Sequence, residues 1–95
     1  MAKFKRSTLG LIAEMVLHLK ACANGFEVFG MDRVGRKVVL VRRKDPEACL
    51  VDAASAAQAL ADFRNKTVQL DIQSERIEEF YPERSTQCAQ TSSSP

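Results

Sequence analysis

The sequence predicts an α+β fold in which a small antiparallel sheet packs with two main helices, in the order α-β-β-(β)-α-β-(α). Three observations point to it. The chain has 95 residues, 45% hydrophobic and 27% charged, which suits one compact core. FEVFGM and KVVLVRR are rich in β-branched and aromatic residues and flank the turn-like Asp32-Arg33-Val34-Gly35, as a hairpin would. AASAAQALADFR sets Ala53, Ala56, Leu60 and Phe63 on one helical face, with small residues that allow close packing on a sheet.

The elements follow in order. Ser7 or Thr8 caps a first helix whose apolar positions Ile12, Met15, Val16, Leu19 and Cys22 recur at helical steps, and Asn24-Gly25 ends it. After the hairpin's first strand, Val38, Val39, Leu40 and Val41 are consecutive. Apolar side chains on both faces predict a strand that is central, or covered on both sides by helices or by another copy. Lys44-Asp45-Pro46 makes a turn, and Ala48 to Val51 supplies a short third strand. Asp52 caps the alanine-rich helix, and Asn65-Lys66 breaks it. TVQLDI alternates as a strand, with Val68, Leu70 and Ile72 on one side. SERIEEFY reads as a last short helix with Ile77, Phe80 and Tyr81 inward. The domain thus covers residues 1–82, with a basic arm over 1–6 and a polar Ser/Thr-rich tail over 83–95 read as disordered.

A net charge of +2 conceals a strong asymmetry: residues 1–44 carry +7 and residues 45–95 carry −5. The basic residues are Lys3, Lys5 and Arg6 in the arm, Arg33, Arg36 and Lys37 about the hairpin turn, and Arg42, Arg43 and Lys44 at the end of the second strand. Guanidinium groups suit phosphates and guanine edges, and a two-stranded ribbon can enter a major groove. Turn and strand end lie at opposite ends of a hairpin, however, and no exposed aromatic is placed for base stacking. The same asymmetry would orient a protein partner or a second copy, with Phe80 and Tyr81 as interface residues.

Catalytic motifs are missing from the sequence. His18 is the sole histidine; it stands four residues from Cys22, close enough on a helix for a thiol to meet its base, yet two such residues are a weak signal. The glycines form no phosphate-binding pattern, and three cysteines without CxxC spacing suggest neither a disulfide framework nor a metal site. Lys3, Lys5 and Arg6 precede an apolar stretch ending near Ala21-Cys22-Ala23, as in an export signal, but Glu14, His18 and Lys20 interrupt it. No stretch is apolar enough to span a bilayer. The sequence therefore predicts a cytoplasmic, non-enzymatic protein-binding module without cofactor or metal, such as an adaptor, inhibitor or assembly subunit, able to form homo-oligomers. A nucleic-acid-binding protein using the hairpin and arm is the alternative.

Overall fold

The computed structural model describes residues 4–83. Its fold is α+β: a five-stranded mixed sheet with two helices, α1 (Arg6–Leu11), β1 (Val16–Cys22), β2 (Gly25–Met31), β3 (Lys37–Arg43), α2 (Pro46–Arg64), β4 (Val68–Ile72) and β5 (Arg76–Phe80). The strands lie in the order β3-β2-β1-β4-β5. Strands β1 to β3 form an antiparallel meander; α2 then crosses the sheet and delivers β4 parallel to β1, and β5 pairs antiparallel with β4.

Four expectations are corrected. The first helix stops at Leu11, and Val16–Cys22 is instead the central strand. Alternation puts Leu17 and Leu19 in the core and His18 and Lys20 on the opposite face; the helical face Ile12-Met15-Val16-Leu19 had omitted Leu17, which is fully buried. Ala48 to Val51 is no strand. Asp45 accepts from the Ala48 amide, Pro46 begins the helix and Glu47 faces its positive end, so α2 starts six residues before Asp52.

The segment read as a last helix is β5. Gln73 and Ser74 take consecutive positive φ values of 52° and 61°, and the Glu75 amide closes on the Ile72 carbonyl at 2.9 Å, giving a tight hairpin turn without the usual Asn-Gly. Finally, β3 lies at a sheet edge. Val28 pairs with Val41 but Phe29 with Val39, so Leu40 is the extra residue of a bulge. That bulge lets Val38, Leu40 and Val41 all pack against the core and leaves Val39 on the other face, which accounts for the apolar run without covering both sides.

Helix α2 lays Cys49, Ala53, Ala56, Ala57, Leu60 and Ala61 on Leu17, Leu19, Val28, Val68, Leu70 and Ile72. Alanines bring its backbone close to the sheet. Arg64 locks the junction of α1 and β1 by donating from Nη2 to the Gly10 and Ile12 carbonyls, both at 2.9 Å. Among the described residues no helix covers the opposite face of the sheet.

Candidate functional site

That second face holds the chemistry of the molecule. In its middle row Val39, Phe29, His18, Asp71 and Ile77 are successive cross-strand neighbours from β3 to β5. The His18 ring stacks on Phe29 with centroids 5.2 Å apart. Its Nδ1–H donates to the Asp71 carboxylate at 3.0 Å, since an ionised carboxylate only accepts. Lys37 Nζ lies 5.0 Å from the Phe29 ring centre and reaches over it to Glu27 Oε2 at 2.5 Å. Arg42 Nε donates more loosely to the other Glu27 oxygen, at 3.4 Å.

Glu27 is thus a carboxylate only 5% exposed, held by two cations whose own heads reach solvent. The Lys37 hydrogen bond is the largest influence and holds its pKa below the ordinary 4.5, against desolvation, with Arg42 assisting. A depressed folded-state pKa contributes stability that is complete above 4.5 and is lost as pH falls through the lowered value. Glu27→Gln should therefore cost about 1–2 kcal/mol near neutrality, where one charge-assisted hydrogen-bond set is lost. It should also flatten the acid limb of a stability–pH curve followed by urea unfolding between pH 7 and 3.

The basic residues do not form one patch. Arg42, Arg43 and Lys44 meet at one end of the hairpin, around a cavity of about 360 Å³ that Cys22, Asn24 and Phe26 also line. Within it, Arg42 serves Glu27, and Arg43 turns to the helix side and donates to Asp52 at 2.6 Å, a carboxylate only 7% exposed. Arg33 and Arg36 stand in the β2–β3 turn, where Asp32 Oδ1 accepts the Val34 and Arg36 amides. Seven-residue strands separate the two groups by roughly 20 Å. Lys5 precedes α1, and Arg6 belongs to that helix rather than to a mobile arm, with its guanidinium 5.7 Å from the Phe63 ring centre. Lys3 and the tail from residue 84 lie outside the described residues.

Phe80 and Tyr81 also part company. Phe80 ends β5 and packs on the core, whereas Tyr81 is 55% exposed and donates from Oη to Glu79 at 2.6 Å, a bond that raises its pKa. His18 and Cys22 lie four residues apart on a strand, roughly 13 Å, and do not meet. Burial raises the pKa of the core thiol, Cys49. Lys20 donates to Ser74 Oγ at 2.7 Å and Asp71 accepts the Ser74 amide, so this polar cluster closes the β4–β5 turn.

Phe29, Asp71, Glu27 and Asp52 were missed as functional candidates. The available signal was the alternation of Leu17 and Leu19 with His18 and Lys20, which marks a strand with one polar face. Among the described residues no group of His, Cys, Asp or Glu could hold a metal ion, and no helix is long and apolar enough to cross a membrane. No family model, curated protein or solved structure matches the chain.

Proposed function

We propose that the protein is a non-enzymatic binding module that docks a protein partner on the uncovered face of its sheet. The composition of that face carries the reading. Phe29 and Val39 on one side and Ile77 on the other flank the His18–Asp71 pair at its middle, and Ile77 is 61% exposed. Its cations Lys20, Lys37 and Arg42 are met by Glu27, Asp71, Glu75 and Glu79, so it offers no net attraction to a phosphate backbone. Exposed apolar side chains set among charges that compensate one another suit a protein interface better than a phosphate-binding surface.

Two measurements test this together. Fluorescence anisotropy against labelled DNA and RNA should show no binding that persists at physiological salt. Affinity capture from the source cells should retain a partner with wild-type protein and with Arg33→Glu/Arg36→Glu, and lose it with Ile77→Asp, at a cost of about tenfold or more in affinity. Nucleic-acid binding that persists at physiological salt and disappears on reversing Arg42 and Arg43 would overturn the proposal in favour of the hairpin as a nucleic-acid ribbon.

A further inference from the structure

Charge is not spread evenly over the uncovered face. Lys37 and Arg42 leave β3 near its two ends, but their heads converge on Glu27 at the Arg42 end and leave one net positive charge on that edge. On the other edge Glu79 lies in β5, and Glu75 in the turn that precedes it. By register, Glu79 lies at the end from which the Lys37 side chain sets out: Lys37 pairs with Met31, and Glu79 with Gln69, which in turn pairs with Val16. Glu75 belongs to the other end, near the row of Lys20, Glu27 and Arg42 where both cationic heads lie. Between the edges the surface also differs in relief. Phe29 and Val39 fill the β2–β3 side, whereas a groove of about 600 Å³ opens on the β1–β4–β5 side, lined by Val16, His18, Asp71, Ser74, Glu75, Arg76 and Ile77.

These features are complementary to themselves under one symmetry operation. A two-fold axis lying in the interface along β1 turns the face onto its own copy and reverses the strand order, so β3 of one protomer lies over β5 of the other. The Lys37–Glu27–Arg42 cluster then faces Glu75, and Val39 faces Ile77, each pair occurring twice. The Phe29–Val39 side of each copy faces the groove of the other. An axis across the strands would instead set β3 on β3 and oppose like charges.

We infer that the occupant of this face is a second copy of the chain, packed sheet on sheet about this axis with β1 aligned on its own copy. The inference rests on the reading of the face as a protein-docking surface. Four inter-strand spacings of about 4.8 Å and about six residues of strand give a footprint near 19 by 20 Å, or ~400 Å² per protomer. An interface of that size is at the low end of specific complexes, so the dimer should be weak, with Kd on the order of micromolar to tens of micromolar.

Sedimentation velocity from about 1 to 500 μM on the full chain tests it, with circular dichroism as the folding control. Wild type should pass from monomer to dimer over this range, and Ile77→Asp should weaken the dimer about tenfold or more. Two charge-reversed proteins, Glu27→Gln/Lys37→Glu/Arg42→Glu and Glu75→Lys/Glu79→Lys, should each stay monomeric alone and form a heterodimer when mixed, because only the mixture restores attraction between the β3 edge of each copy and the β5 edge of the other. A wild-type monomer throughout the range would overturn self-association; the docking reading would then stand or fall separately on the captured partner and its loss with Ile77→Asp. Dimers unaffected by both Ile77→Asp and Glu75→Lys/Glu79→Lys would overturn this face and axis, even if the triple variant failed to fold.

Discussion

Gly25→Ala should destabilise the protein by about 3–5 kcal/mol, enough to leave a domain of this size largely unfolded at physiological temperature. Gly25 opens β2 with φ at +143°, and an added Cβ would lie 2.4 Å from the Arg43 carbonyl oxygen and 2.8 Å from the Lys44 Cα. Both are backbone atoms and cannot rotate away. Nor can β2 retreat, because Gly25 is paired with Cys22 across the β1–β2 turn while Phe26 is paired with Arg43 on the other side. Gly35 provides the control: its φ is +83°, yet nothing lies within 4 Å of its added Cβ. Gly35→Ala should therefore cost only about 1–2 kcal/mol, the conformational cost of a left-handed residue with a side chain. Urea unfolding of both variants separates steric from conformational effects; equal midpoints would show that strand spacing at Gly25 is not rigid.

The hairpin, the alanine-rich helix and β4 were legible because each has one dominant signal: β-branched runs around a turn, small residues at helical spacing, and strict alternation. The segments that misled carry two periods at once. In LIAEMVLHLKAC the apolar residues satisfy both a helical step and a strand alternation, and tertiary pairing decides between them. Met15 offers its carbonyl to the Gln69 amide and Leu19 its carbonyl to the Gln73 amide, so β4 claims the segment as a parallel neighbour. The β4–β5 turn was hidden for a different reason. Gln and Ser are poor markers of consecutive positive φ, and their cost is offset locally by the Asp71 carboxylate on the Ser74 amide.

The same ambiguity concealed the candidate site. Once residues 16–22 are taken as a helix, His18 and Lys20 belong to an exposed helical surface, and the face they share with Phe29 and Asp71 never assembles. Charge counting saw the asymmetry between the halves but not its disposition. Arg43 and Arg42 are adjacent in sequence, yet strand alternation sends one to Asp52 under the sheet and the other to Glu27 above it. What survives of the asymmetry is a gradient across the uncovered face, from the β3 edge to the β5 edge, and that gradient rather than net charge is what a partner would meet.

The identity of residues 16–22 as a strand has its own large consequences for substitution, ranked in the opposite order to those of a helix. Leu17 is fully buried between the sheet and α2, so Leu17→Ala should cost about 3–4 kcal/mol, the sum of lost transfer energy and the cavity left behind. For a domain near 80 described residues that corresponds to a fall in Tm of roughly 15–25 °C. Val16, on the uncovered face, is only half-buried, and Val16→Ala should cost about 1 kcal/mol or less. A helix with Ile12, Met15, Val16 and Leu19 inward demands the reverse order, with Val16 costly and Leu17 nearly free. Thermal unfolding of the two variants beside wild type therefore decides between the two periods. If Val16→Ala proved the more damaging, β1 would not be the central strand, and the face built on His18 would lose its foundation along with it.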